Sequence, residues 1–475
     1  MRGAMWIGGA AQHGDRTEQI TNPFDGSVVG EASVGESSHV EAAMAAAVSS
    51  FRRAAETPVY ERIEILEKAV QILREHGEEL AQLMRLEGGK PIQLARGEVS
   101  RAMITFSLGI DVARREQGAV ETTELSPSGV GRFCLHHRVP RGPVAAIAPF
   151  NFPLNLVAHK LSPSIAVGTS VVLKPAAQCP LTALRFCELL HERGIPEGWI
   201  NVLHMRPEVA QAMVEDQRMR VLSFTGSAKV GWALKALAGE KQVCLELGGN
   251  APLIVDEGTS VSNMMDRMMV GAWAHAGQVC IKTQRVLVHH RLFEEFLEVF
   301  KSATAAVKAG DPAHEDTLVG PMIDEASRDR VLQWVDEAKG DGATVQCGGD
   351  FDGNVISPTI LTGVKNSMKV VREEVFGPVT TVESFHDFED ALEVANSGPY
   401  GLHAGVFTPH IDRAMHAFRR LQFGGVMIND VPTFRTDNVP YGGSRSSGMG
   451  REGVRFAAED FTEPKMLILR NLSSS

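Results

Sequence analysis

Apolar positions recur at helical spacing early in the chain, after a polar, turn-rich start. The repeat carried by Ile63, Leu66, Val70, Leu73, Leu80 and Leu83 predicts an amphipathic helix over Tyr60 to Glu87. A shorter helix is predicted from Ser38 to Ala55, and a third from Gln93 to Arg115. The first 40 residues are expected to wrap the surface. The pattern then changes. Val144 to Ala148, Ser170 to Lys174, Trp199 to Leu203 and Arg220 to Phe224 are short apolar runs. Helical stretches (Leu154 to Val167, and one ending near Gly194) separate them. Short buried strands alternating with helices indicate an α/β fold with a doubly wound parallel sheet. Ligands of such sheets bind outside the carboxyl ends of the strands, and the loops from Phe150, Lys174 and Thr225 follow strands there.

A second alternating region begins with strands at Gln242 to Glu246 and Pro252 to Val255. Helices are expected near Val261 to Ala274 and Leu292 to Ala309, and further strands at Arg285 to His289 and Val375 to Glu383. No Gly/Ser linker divides the two regions, so they are expected to pack closely.

The 475 residues exceed one small core and predict two or three domains. The net charge of −11 argues against nucleic-acid or anionic-membrane partners. No run reaches the roughly 18 apolar residues of a membrane span, and the first nine residues lack the apolar core of a signal peptide. The six cysteines include no C-x-x-C pair, which argues against a zinc site or a disulfide framework. The chain is read as cytoplasmic, with no metal. Asn471-Leu472-Ser473 fits a glycosylation acceptor by letter, without meaning in a cytosolic chain.

Two residues carry candidate chemistry. Cys280 lies in the small-residue run Gly277-Gln278-Val279-Cys280, and a thiol there is a candidate nucleophile. Glu246 ends a predicted strand ahead of Leu247-Gly248-Gly249-Asn250, and is a candidate general base. The bland alternatives are a small buried thiol and a solvated carboxylate. Gly248 and Gly249 weaken the second, since they suggest close backbone approach to a ligand. Gly448-Met449-Gly450-Arg451-Glu452-Gly453 fits the dinucleotide fingerprint by letter, but no buried strand precedes it, and it is read as a loop.

Seven motifs stand in one order. They are Pro149-Phe150-Asn151-Phe152-Pro153, Lys174-Pro175, Phe224-Thr225-Gly226-Ser227, Glu246-Leu247-Gly248-Gly249-Asn250, Gly277-Gln278-Val279-Cys280, Glu373-Glu374-Val375-Phe376-Gly377-Pro378 and Pro440-Tyr441-Gly442-Gly443. On these the chain resembles the non-acylating aldehyde dehydrogenase superfamily over nearly its whole length. The style of its motifs is nearest the lactaldehyde and succinate-semialdehyde branch. The resemblance implies a Rossmann-like cofactor domain (1–120 and 141–246), an α/β catalytic domain (247–450) and a small oligomerisation arm (121–140 and 451–475). It also implies a homodimer or homotetramer. Cys280 matches the family nucleophile, Asn151 the oxyanion donor and Glu246 the base. Phe150, Lys174, Ala177, Gly226, Ser227, Gly248, Glu374 and Phe376 match cofactor positions.

Ala177 stands where NAD-selective relatives often carry an acidic residue, so the cofactor is read as NAD or NADP. His159 falls at a position that lines the aldehyde channel in the family. Arg101 and Arg435 are further substrate candidates, equally readable as ion-pair residues. Together they suggest a short polar or anionic aldehyde. Val279 stands where relatives that oxidise phosphorylated aldehydes place an Arg, which counts against a phosphate group. Three rival readings remain: a CoA-acylating relative, a thiol esterase, and a non-catalytic binding protein on the same fold. Glu246 argues against the first, the cofactor motifs against the second, and the presence of Cys280, Glu246 and Asn151 together against the third.

Overall fold

The computed structural model describes residues 2–115 and 118–470. The Asn471–Ser473 acceptor lies outside them. The predicted helices form as α1 (Ser37–Glu56), α2 (Val59–Gly88) and α3 (Ile92–Arg114). Pro58 and Pro91 stand at the N-caps of α2 and α3, and Gly89 ends α2 in a left-handed conformation (φ 62°). The buried stripes of α2 and α3 join one core with the strands that follow.

The first sheet has eight strands. Its five parallel strands lie side by side in the order Ile200–Val202, Val171–Lys174, Val144–Ile147, Val221–Thr225 and Gln242–Glu246. In chain order this is 3-2-1-4-5, so the winding reverses between Val144–Ile147 and Val221–Thr225. The loops leaving these two strands diverge at that switch point and open a crevice. Helices α4 (Asn155–Val167), α5 (Leu181–Glu192), α6 (Pro207–Glu215) and α7 (Ala228–Leu237) connect the strands.

Two expectations change here. The opening segment does more than wrap the surface: Met5–Ile7 pairs antiparallel with Val202 and extends the sheet, with Met5 and Ile7 buried. Gly448–Met449, expected as a loop, pairs antiparallel with Leu245 and Glu246 and closes the opposite edge. It follows no strand of the sheet into a helix, so it is not a dinucleotide turn.

The second sheet has seven strands, in the order Thr344–Cys347, Thr359–Thr362, Val379–Phe385, Thr283–His289, Ala251–Val255, His403–Phe407 and Gly425–Ile428. The strand expected from Val375 begins only at Val379, because Phe376 is left-handed (φ 45°) and Pro378 donates no hydrogen bond. A separate three-stranded antiparallel sheet joins Gly118–Glu121, Arg132–Pro140 and Thr462–Arg470. Among the described residues no helix is long and apolar enough to cross a membrane.

Candidate active site

A cavity of about 640 Å³ lies at the switch point. Cys280, Glu246 and Asn151, read from distant stretches of sequence, all line it. Cys280 arrives on a turn that follows α8 (Val261–Trp273). His275, Ala276 and Gly277 are all left-handed there, with φ of 53°, 54° and 66°. Two successive non-glycine residues in this region cost about 1–3 kcal/mol each and persist only when held from outside. Gln278 does the holding. Its amide donates to the carbonyls of His275 and Pro321 at 3.3 and 3.2 Å, and its Oε1 accepts from Ile323 N at 2.9 Å. A Cβ on Gly277 would stand 2.4 Å from the carbonyl oxygen of Gly377, so only glycine fits.

The Cys280 thiol lies 2.8 Å from the Tyr441 hydroxyl. Burial pushes it up to about 11, against the pull of Tyr441 and Arg435. Tyr441 is buried, with the Arg435 guanidinium 3.7 Å above its ring centroid.

Glu246 is the last residue of its strand and is 6% exposed. Burial, and then the neighbouring Glu452 carboxylate, hold it well above the ordinary carboxylate range. Its Oε2 has no hydrogen-bond partner, and a Cβ on Gly442 would lie 2.8 Å from its Oε1. A carboxyl whose proton affinity is raised and which has one oxygen free is suited to taking a proton from water once ionised.

Asn151 sits in the loop between Val144–Ile147 and α4, 4% exposed, and its amide donates to the Gln278 carbonyl at 2.9 Å. The expected oxyanion donor is thereby joined to the loop of the expected nucleophile.

The cavity is also lined by Phe150, Gly226, Ser227, Gly248, Glu374 and Phe376. Ser227 caps α7, its Oγ accepting from Val230 N. Gly248 and Gly249 do allow close approach, but to protein groups. A Cβ on Gly248 would lie 2.1 Å from Glu374 Oε2, and one on Gly249 would lie 2.4 Å from the Cys280 carbonyl. Gly249 N donates to Glu374 Oε1 at 3.0 Å, yet burial still raises Glu374 to about 7. Phe150 and Phe376 meet edge to face at 5.9 Å.

Lys174 and Ala177 stand apart from this lining. The Lys174 ammonium donates to the Pro175 carbonyl, and burial lowers it to about 8. His159 also differs from its expected place: it does not line the cavity and is 1% exposed. Helix α4 turns it inward, where its Nε2 lies 2.9 Å from Asp437 Oδ1 and 3.1 Å from Arg435 Nη2. Burial lowers the imidazole below its ordinary value, against the pull of Glu452 and Asp437.

Arg101 and Arg435 do reach the cavity, already paired. Arg101 grips Asp437 with Nε and Nη2, at 3.1 and 2.6 Å, while its side chain stays 28% exposed. Arg435, 8% exposed, bonds Glu452 at 2.8 Å. Burial opposes the ionised forms of Asp437 and Glu452. For Asp437 the His159 and Arg101 hydrogen bonds outweigh it, and for Glu452 His159 and Arg435 do, so both carboxyls stay below their usual range. Asp437, Glu452, Lys90, Glu98 and Gln278 carry no signal as isolated letters. Tyr441 stood inside a motif without a role. Among the described residues no cluster of His, Cys, Asp or Glu is fit for a metal.

The aldehyde dehydrogenase family model matches residues 10–467. The 3-sulfolactaldehyde dehydrogenase of Priestia aryabhattai is 37% identical over 466 residues, covering 98% of this chain and 97% of that one. The crystal structure of aldehyde dehydrogenase 21 from Physcomitrella patens, in complex with the reaction product succinate, superposes with a TM-score of 0.98 at 38% identity, covering 100% of this chain and 99% of that one. Glyceraldehyde-3-phosphate dehydrogenase from Methanocaldococcus jannaschii, complexed with NADP, superposes with a TM-score of 0.92 at 33% identity, covering 96% and 100%. The winding of the first sheet, the crevice at its switch point and these likenesses agree, and the chain belongs to the aldehyde dehydrogenase family.

Proposed function

We propose that the protein oxidises a short aldehyde bearing a polar or anionic group to its carboxylic acid, with NAD or NADP as electron acceptor. One observation carries this reading: Cys280, Glu246 and Asn151 share one cavity with the capped N-terminus of α7 and with Glu374. The residues there fit a dinucleotide. The N–H groups at the start of α7 suit a pyrophosphate. Gly248 leaves Glu374 room that a Cβ would fill, and Glu374 would hold one ribose; Lys174, outside the lining, would have to leave the Pro175 carbonyl to hold the other. When bound, the cofactor supplies the two-electron acceptor beside the aldehyde carbon. Ala177 offers no acidic group against a 2′-phosphate, and the Methanocaldococcus jannaschii relative binds NADP, so both cofactors are admitted.

The protein's own steps follow from its groups. Cys280 passes its proton to solvent water in the cavity, and its sulfur attacks the carbonyl carbon. The Asn151 amide donates to the oxygen that becomes an oxyanion. After oxidation the acyl group is a thioester on Cys280. Glu246, ionised, takes a proton from the water that cleaves it, the acid leaves and the thiol is restored. The presence of Glu246 favours water over CoA as acyl acceptor.

For the substrate, Arg101 is a cavity cation whose side chain stays 28% exposed although paired with Asp437. The Priestia aryabhattai relative is named for sulfolactaldehyde and the Physcomitrella patens structure holds succinate; both molecules are anionic. The three-stranded sheet, with Phe133, Met466, Leu467 and Ile468 exposed, supports assembly as a homodimer or homotetramer.

The test is a panel of lactaldehyde, succinate semialdehyde, glycolaldehyde, phosphonoacetaldehyde and benzaldehyde, run with each cofactor, with and without CoA. The expected result is CoA-independent reduction of NAD or NADP, fastest with an anionic aldehyde. No cofactor reduction with any aldehyde, or an absolute need for CoA, would sink the proposal.

A further inference from the structure

The loop that carries Asn151 has no regular secondary structure of its own, so its aim must come from elsewhere. The fold supplies a buried ion pair. Lys90 lies in the link between α2 and α3, and Glu98 lies on α3; they are 2% and 1% exposed. Lys90 Nζ bonds Glu98 Oε2 at 2.5 Å and donates to the Asn151 carbonyl at 2.8 Å. The other oxygen of Glu98 accepts from Leu154 N and Asn155 N, both at 2.9 Å, at the start of α4. The pair therefore grips the main chain at Asn151 itself and again three residues on. Lys90 also stands 3.7 Å above the Phe152 ring, between those two grips. One Asn151 N–H is tied to the Gln278 carbonyl, in the loop of Cys280.

Buried ion pairs rarely stabilise a fold more than packed apolar residues of the same size would. A pair placed here needs another reason, and the wall of the cavity provides one: both residues line it.

We propose that Lys90 and Glu98 are positioning residues for Asn151, holding its main chain so that the amide meets the developing oxyanion without reorganising. The proposal rests on Asn151 being the oxyanion donor, as argued above. A misplacement of about 1 Å costs on the order of 10²-fold in rate, so a rigid mount has a direct kinetic consequence.

The test is a double-mutant cycle. Lys90→Met/Glu98→Gln removes both charges together, leaves no orphan ion, and keeps an oxygen for Leu154 N and Asn155 N. It should lower kcat by roughly 10- to 100-fold, with little change in KM for the aldehyde or in cofactor binding. In an Asn151→Ala background the same two changes should cost nothing more, because there is no amide left to aim. Equal losses in both backgrounds would overturn the positioning role while leaving the oxyanion assignment intact. An Asn151→Ala enzyme with full kcat would overturn that assignment and this proposal together. Should the double variant not fold, Lys90→Gln/Glu98→Gln, which keeps an uncharged hydrogen bond between the two and a donor for the Asn151 carbonyl, runs the same cycle, with a smaller loss that must again vanish without Asn151.

Discussion

Around Cys280 the cavity wall is a mesh of paired charges, whereas around Ser227 it is glycine and a helix end. At the first, Arg101 pairs with Asp437 and Arg435 with Glu452, and Lys90 pairs with Glu98 beside the loop of Asn151. At the second, Gly226 and Gly248 let Phe224 and Glu374 approach the main chain, and Glu374 is bonded to Gly249 N with only a distant pull from Arg330. The difference follows from what each end has to do. Charge that develops during a reaction is best met by dipoles already fixed in place. A cofactor that enters and leaves brings its own charges and finds fixed backbone donors.

The contrast makes graded predictions. Cys280→Ala should abolish cofactor reduction with every aldehyde while leaving cofactor binding by fluorescence titration unchanged; lost binding would mean the two ends are not independent. Glu246→Gln should slow steady turnover by about 10²–10⁴ yet retain a burst of reduced cofactor equal to the enzyme present. A burst lost with the turnover would place Glu246 before thioester formation.

Asp437→Asn keeps the shape of the mesh but leaves Arg101 and His159 without a carboxylate, and should lower stability by about 3–5 kcal/mol in denaturant unfolding. Glu374→Gln at the open end should cost much less stability and weaken cofactor binding by roughly 10-fold, the loss of one charge-assisted hydrogen bond. It should also change the pH profile of unfolding. Glu374 rises from 4.5 to about 7 on folding, so its contribution is fully present below 4.5 and is lost as pH climbs through about 7. The variant should show a flatter fall in melting temperature across that window; an unchanged slope would mean Glu374 is already ionised.

The smallest effect belongs to Tyr441→Phe. With the Cys280 thiol at about 11, alkylation by iodoacetamide should accelerate with pH from neutrality upward. Tyr441 draws that value down, so removing its hydroxyl should move the profile to higher pH by a fraction of a unit. A profile shifted the other way would show that Tyr441 restrains the thiolate.

How much of this was legible in the sequence depended on depth. Val144–Ile147, Val171–Lys174 and Val221–Thr225 are covered on both faces, so they read as unbroken apolar runs. Met5–Ile7 and Gly448–Met449 are strands of only two or three residues among glycines, too short to show a period. Cys280, Glu246 and Asn151 are conspicuous because their neighbours form motifs. The charges behind them are not: Lys90 reads as a surface lysine between Gly89 and Pro91, and Asp437 as a turn residue. Glu98 did leave a trace. It falls on the buried stripe of Ile92, Ala95, Val99 and Ala102, where a carboxylate is out of place unless something answers it. His159 misled for the converse reason, since a position near the channel in sequence says nothing about which face of α4 points into it.

The burial of Cys280 reaches beyond turnover. Peroxides oxidise the thiolate form of cysteine, and a sulfur that stays protonated at neutral pH presents almost none of it. Of the six cysteines, Cys280 is the one that lines the cavity, and its weak acidity should make peroxide oxidise it more slowly than a permanently ionised thiolate.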